Sequence, residues 1–282
     1  MLPITLPDVR PWWTRVRPTA HYLMETEAHV YALAVAASVL LSFFPFFLVM
    51  VALCRDVLHW HAAEQAIDLA LRDFFAGEQG DFLVHNLRSY WFQPWAKVGF
   101  ASMFLLLFTA NGVFEPLEVA LNRAWGVTVN RPYWKNQLIS LGLVFACGAL
   151  AIVSLMLTAL NRQWLGEKEA HAGLLVWIDL ALFKIAALPV SVLALFLVYW
   201  LLPNRKIEPA RVAPVALWVG LALEGLKYVN LMVAHALGEK LEREYYVFQH
   251  SVTIVLWSFV ATLVVLAGAH WTARHGTADP LV

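Results

Sequence analysis

The sequence predicts an all-α integral membrane protein with six transmembrane helices. Six apolar stretches account for about half of the 282 residues, at residues 30–53, 98–113, 138–160, 174–202, 212–237 and 252–271. A spanning helix needs about 20 mainly apolar residues, because each residue rises about 1.5 Å through about 30 Å of hydrocarbon. With 61% hydrophobic and only 14% charged residues, a water-soluble domain of this length would lack polar surface.

The first two stretches each carry a further expectation. Pro45 follows Ser42 in the first, and a proline there removes one backbone hydrogen bond and kinks the helix. Such a kink can open a cavity, although membrane helices also tolerate prolines without any function. The second stretch is shorter than the others, and we expect its helix to continue through Phe114, Glu115 and Leu117 against neighbouring helices.

Two connections between the stretches are amphipathic. The outer loop, residues 54–97, has apolar residues at helical spacing that predict a helix on the membrane surface or capping the bundle: Ala63, Ile67, Ala70, Leu71, Phe74 and Phe75. Residues 114–125 are similar, with Leu117 and Leu121 on one side of the helix. The polar residues of this segment are expected away from that side: Glu115, Glu118, Asn122 and Arg123. We place the segment at the cytoplasmic face.

Small residues at four-residue spacing predict close helix packing. These pairs are Gly142 with Ala146 and Ala216 with Gly220. No long linker or low-complexity segment divides the chain, so residues 1–282 are predicted to form a single transmembrane domain.

The distribution of lysine and arginine predicts that both termini lie in the cytoplasm. Six spans put the termini on one side, and ten basic residues lie on that side against eight on the other. Short loops rich in basic residues tend to stay inside. The 29 N-terminal residues and the tail at 272–282 are therefore expected to be cytoplasmic, with no cleaved leader.

Charged residues within two of the apolar stretches are the candidate functional site. Asp179 and Lys184 lie in the fourth, and Glu224 and Lys227 in the fifth. Each charge at mid-membrane costs roughly 2.5–3.5 kcal/mol on insertion scales, so these side chains should face inward and pair. Lys184 with Glu224 is the favoured pair by depth. Lys227 shares a face with Glu224 by the i, i+3 rule, so it could reach either Glu224 or Asp179. Either the cluster lines a pathway, or the pairs only hold two helices in register.

Other chemistry has little support in the sequence. No phosphate-binding glycine loop, nucleophile elbow or Cys-x-x-Cys motif is present, so we expect neither an enzyme nor a cofactor. His59 and His61 lack further ligands at metal-binding spacing. The two cysteines, Cys54 and Cys147, do not suggest a disulfide framework, and a net charge of zero does not suggest a nucleic-acid partner.

Several stretches in order resemble the YihY / virulence factor BrkB family of bacterial inner-membrane proteins, once mislabelled as ribonuclease BN. They are residues 42–45 (Ser-Phe-Phe-Pro), 121–126 with Asn122 and Arg123, 202–206 with Pro203 and Asn204, Glu224 with Lys227, and Trp257 with residues 267–269 (Ala-Gly-Ala). The resemblance implies six spans in the cytoplasmic membrane and involvement in moving lipid or another amphipathic envelope component. The chain departs from the family at residues 248–251, and at His270, where an acidic residue is usual and a histidine titrates near neutral pH.

Two functions follow as hypotheses. In the first, the protein is a transporter or flippase-like protein whose cluster of Lys184, Glu224 and Lys227 lines a path for a polar headgroup in contact with membrane lipids. In the second, it is a non-transporting scaffold or regulatory protein of the envelope. A homo-oligomer or envelope partner proteins fit either hypothesis. Ribonuclease activity ranks below both, because neither a metal site nor a basic RNA-binding face is visible.

Overall fold

The computed structural model describes residues 12–61, 63, 65, 67, 85, 95–127, 131–166 and 174–276, and the elements in this part are all helical. A π-helical turn, Leu53–Val57, follows the second α-helix, and a 3₁₀ turn, Tyr246–Phe248, joins the last two. The α-helices are α1 (Trp12–Glu25), α2 (Ala28–Ala52), α3 (Trp95–Ala124), α4 (Tyr133–Gly166), α5 (Leu174–Leu201), α6 (Pro209–Tyr245) and α7 (Gln249–Gly276).

Each of the six predicted apolar stretches lies in one helix, from α2 to α7, except that the first and the fourth extend one residue past the helix end. The helix of the second stretch continues to Ala124, as predicted. Three segments of the described residues are long and apolar enough to span a membrane: Tyr133–Ser154, Pro209–Asn230 and Gln249–Ala273. A fourth would be the bent pair Arg17–Glu25 and Ala28–Phe43, whose axes differ by 73°. The all-helical membrane class is confirmed. The described residues contain three or four candidate spans, and the count of six stays a prediction.

The helices pack as a ring that follows chain order. Each helix from α2 to α7 contacts the next one in sequence, and α7 closes the ring by packing against α2. The first helix, α1, lies outside this ring against α7 and α2. Helices joined by short connections are expected to be neighbours, which accounts for the contacts from α3 to α7. The contacts of α2 with α3 and with α7 join segments far apart in the chain, so they depend on packing.

Two apolar clusters form the interior. The larger joins α3, α4, α5 and α7 through side chains that include Leu121, Leu143, Tyr199 and Leu266. The smaller contains Met50 and Val51 of α2, Ile152 of α4, and Ala63 and Ile67 from the outer loop. Ala63 and Ile67 are buried and helical, while His61 before them and Gln65 between them are exposed. This alternation confirms the amphipathic pattern at the described positions; Ala70, Leu71, Phe74 and Phe75 lie outside them.

The sharp bend near the N-terminus lies between α1 and α2. Glu27 has a φ of 54° there, in the left-handed region. Pro45 is buried inside α2, which runs without interruption to Ala52. The Ser42 hydroxyl donates to the Ser38 carbonyl at 2.8 Å. The kink expected at Pro45 stays a prediction.

Glycines mark the closest helix approaches. A methyl group added at Gly268 of α7 would overlap Val219 of α6, and one at Gly220 would come 2.8 Å from a methyl of Val192. The predicted packing pair of Ala216 and Gly220 is therefore confirmed, and Ala216 is fully buried. The prediction for Gly142 is wrong, because it is exposed and an added methyl group would contact nothing within 4 Å.

Candidate functional site

An open groove with a volume of about 370 Å³ lies between α2, α4, α5 and α6. Its walls are mainly apolar, with contributions from Phe46, Phe47, Met50, Leu150, Ile152, Val190, Leu195 and Leu223. Pockets of 300–1,000 Å³ are typical of small-molecule sites. The groove therefore has the size and the surface for an apolar ligand or for part of one.

An ion pair lies at this groove. Lys227 Nζ is 2.8 Å from Glu224 Oε2, and both residues line the groove from α6. The predicted i, i+3 contact is thus confirmed. The prediction that these side chains face inward is wrong for Lys227, whose side chain is 63% exposed, while that of Glu224 is 27% exposed. The pair is therefore reachable from outside the protein surface rather than enclosed between two helices.

The other two predicted charges belong to α5. Asp179 and Lys184 lie within this helix, but their side chains lie outside the described part of the structure. Further along the same helix, Val190, Ser191, Ala194 and Leu195 line the groove. The pairing of Lys184 with Glu224 stays a prediction.

Helix α4 contributes a wall of the groove that the sequence did not predict. Cys147, Leu150 and Ser154 line the groove at spacings of three and four residues, which places them on one helical face. Gly148 lets α2 approach, since a methyl group there would lie 3.1 Å from Phe46 Cε2. The sequence signal for this wall is the recurrence of small and weakly polar residues along an apolar helix. The same pattern occurs in ordinary helix packing, so it does not identify a groove. Cys147 and Cys54 are not joined in a disulfide.

Three of the four family-motif loop residues meet at the end of the bundle where α3 and α5 finish. The Asn204 backbone N–H donates to Asn122 Oδ1 at 2.8 Å, and Asn122 Nδ2 donates to Glu118 Oε1 at 3.3 Å. The guanidinium of Arg131 donates to the carbonyl oxygen of Leu201 at 2.9 Å and to that of buried Pro203. These contacts attach the turn after α5 to the end of α3.

The prediction that Glu118 and Asn122 avoid the buried side of α3 is wrong. Both side chains are buried, because the turn containing Asn204 covers the face of α3 that they occupy. Arg123 is exposed, as a polar residue of an amphipathic helix should be. Its guanidinium carbon lies 5.6 Å from the centroid of the Tyr31 ring, a cation–π distance. None of these motif-loop residues lines the groove.

His270 joins α7 to α1. Its ring stacks on Tyr22 with centroids 4.0 Å apart and planes 11° apart, and its Nδ1 is 3.4 Å from Thr19 Oγ1. Titration of this histidine near neutral pH stays a prediction. Within the described residues, no group of three or more His, Cys, Asp or Glu side chains is arranged to hold a metal ion.

Comparison with known proteins agrees with the motifs and the apolar helices. The chain is 24% identical over 278 residues to a UPF0761 membrane protein of Pseudoalteromonas translucida (strain TAC 125), covering 93% of this chain and 85% of that protein. No solved structure matches the chain. The profile of the family described as Virulence factor BrkB matches residues 20–279. This match covers nearly the whole chain, which therefore belongs to the virulence factor BrkB family and is a membrane protein.

Proposed function

We propose that the protein binds a lipid or another amphipathic envelope component in the groove and moves it through the membrane. The observation that carries this proposal is an apolar groove with an accessible ion pair at its wall. Charged groups at membrane depth need water, a counter-charge or a substrate. An amphipathic molecule satisfies both parts of this site, because its chain can cover apolar walls while its headgroup meets Glu224 and Lys227.

The groove divides into two chemical regions. Phe46, Met50 and Leu150 present apolar surface, and burying such surface contributes roughly 25 cal/mol per Å². Glu224 and Lys227 offer one acceptor and one donor group of opposite charge, so a headgroup with both charges would exchange the existing ion pair for two new contacts. This exchange favours zwitterionic headgroups over neutral ones.

For the membrane arrangement, we propose six spans from α2 to α7 in the cytoplasmic membrane, with both termini inside. The described part of α6 has 37 residues, which corresponds to about 55 Å of helix and exceeds the roughly 30 Å hydrocarbon layer. Glu224 lies about 22 Å along the helix from Pro209. In this arrangement the ion pair is near the middle of the hydrocarbon layer, where a charge is most costly.

We further propose that movement of the ligand involves no covalent chemistry. Membrane lipids are then the principal partners, and a second copy of the chain or envelope proteins are candidates for the remaining contacts.

Lipid translocation in reconstituted vesicles tests the proposal. A fluorescent phosphatidylethanolamine is incorporated with the wild-type protein or with the Glu224→Gln/Lys227→Met variant, and its arrival in the outer leaflet is followed by chemical quenching. We expect the rate to fall about tenfold or more in the variant, since each contact to a charged group contributes about 1.5–3 kcal/mol.

A second ion pair on the same helix supplies the control. Arg211 Nε lies 3.2 Å from Glu208 Oε2, also at i, i+3, at the start of α6 and away from the groove. The Glu208→Gln/Arg211→Met variant should translocate lipid at the wild-type rate. Equal rates in all three proteins would exclude Glu224 and Lys227 from the mechanism. No rate above that of empty vesicles would refute the transport proposal and favour a scaffold or regulatory role.

A further inference from the structure

Buried oxygen atoms without hydrogen-bond partners gather at the end of the bundle where α3 and α5 finish. Glu118 is 5% exposed and Ser140 is 1% exposed. Among the described residues, neither Glu118 Oε2 nor Ser140 Oγ has a hydrogen-bond partner, and the same holds for Asn204 Oδ1. Two amide oxygens at the start of α4, Asn136 Oδ1 and Gln137 Oε1, are also buried without partners. Such groups cost about 1–3 kcal/mol each unless something binds them.

The fold brings Glu118, Asn204 and the start of α4 to the same end of the bundle. Asn122 links Glu118 to the backbone of Asn204 through two hydrogen bonds. Helices α3 and α4 are consecutive and in contact, and a short connection makes them a hairpin. Glu118 lies about two turns before the end of α3, and Ser140 about two turns after the start of α4. They are therefore at the same depth in this hairpin.

A cation bound at Glu118 would supply a counter-charge to its carboxylate. Within the described residues no cation forms an ion pair with Glu118. The guanidinium of Arg131 is bound to the carbonyl oxygens of Leu201 and Pro203. A buried carboxylate with no counter-charge is strongly unfavourable.

We propose that Glu118, Ser140 and Asn204 form a binding site for an alkali-metal cation. Carboxylate, hydroxyl and amide oxygens are hard ligands that suit such ions. One carboxylate among neutral oxygens balances a single positive charge, whereas divalent calcium sites commonly draw on several carboxylates. This site is separate from the groove, and the proposal does not depend on what the groove binds.

Thermal unfolding of the purified full chain in detergent tests the proposal. The melting temperature is measured by tryptophan fluorescence in mixtures of NaCl or KCl with choline chloride at constant ionic strength. We expect Na⁺ or K⁺ to raise the melting temperature saturably by several degrees relative to choline, because a ligand bound only by the folded state stabilises it. Glu118→Gln should abolish this rise.

The matched control is Glu115→Gln, on the same helix but at an exposed position; it should retain the wild-type rise. If Glu118→Gln does not fold, Ser140→Ala and Asn204→Ala replace it, and each should shift the half-saturating cation concentration upwards about tenfold. Binding of ²²Na⁺ to the wild-type protein by equilibrium dialysis gives a readout independent of stability. No saturable effect of Na⁺ or K⁺ over choline, an equal rise in Glu118→Gln, or a response confined to Mg²⁺ or Ca²⁺ would overturn the proposal.

Discussion

Tyr199 shows how one polar group holds distant helices together. Its side chain is buried, and its hydroxyl donates to the Val265 carbonyl at 2.6 Å, joining α5 to α7. In water this carbonyl would find other donors, but between packed helices it has few alternatives. The bond therefore contributes to the fold as a contact between helices that are not consecutive in the chain.

We expect Tyr199→Phe to lower the free energy of unfolding by about 1 kcal/mol, because interhelical side-chain hydrogen bonds in membrane proteins contribute about 0.6–2 kcal/mol. Denaturant titration in detergent, followed by tryptophan fluorescence, measures the change. Tyr133→Phe serves as the control, since Tyr133 is exposed and its replacement should alter stability by less than about 0.5 kcal/mol. Equal effects of the two substitutions would show that the Tyr199 hydroxyl contributes nothing specific.

At the scale of the element, close contact between α6 and α7 depends on the absence of a side chain at Gly268. The residue is buried, and a methyl group there would overlap Val219 and come 2.9 Å from the Tyr199 hydroxyl. Small residues let membrane helices approach each other closely. Gly142 of α4 has no such contact, although both glycines lie inside apolar helices.

We expect Gly268→Ala to destabilise the protein by about 1–3 kcal/mol, because α6 and α7 must separate or repack to admit the methyl group. Gly142→Ala should be neutral or stabilising by up to about 1 kcal/mol, since alanine favours the helix and space is open. The same denaturant titration compares the two variants. If Gly268→Ala were as stable as Gly142→Ala, the α6–α7 interface would be looser than the structure shows.

For the whole molecule, α6 provides the test of the proposed membrane arrangement. Glu208 lies just before this helix and Glu244 near its end, and both are exposed. Because α6 is about 55 Å long, these positions should lie on opposite sides of the membrane, with Glu208 inside. The proposed arrangement therefore places one end of α6 in the cytoplasm and the other beyond the outer surface.

Single-cysteine labelling measures this directly, with Cys54→Ala and Cys147→Ala as background. A membrane-impermeant maleimide should label Glu244→Cys in intact cells, and Glu208→Cys only after the membrane is permeabilised. Labelling of both positions from the same side would contradict a membrane-spanning α6. Labelling with the sides reversed would contradict the cytoplasmic termini and leave the span intact.

Local properties of the chain were enough to predict the class, the helices and one contact of the site. Apolar runs specify where helices form, because the hydrocarbon layer holds no water and every backbone N–H and C=O group must form its hydrogen bond within its own segment. The contact between Glu224 and Lys227 was predictable because helix geometry alone places residues i and i+3 together. The burial of Ala63 and Ile67 was predictable for the same reason, from helical spacing.

Contacts between distant segments had no such local signal. Glu118 and Asn122 have the spacing of a solvated helix face, yet they are buried by a turn 82 residues further along the chain. Gly142 and Gly268 look alike in sequence, but only Gly268 meets another helix. Likewise, α4 forms a wall of the groove only because of the helices that pack beside it. The order of the residues determines where each helix begins and ends in the chain. Apolar helix surfaces of similar composition can pack in many pairings, so which helices become neighbours depends on how all the side chains fit together.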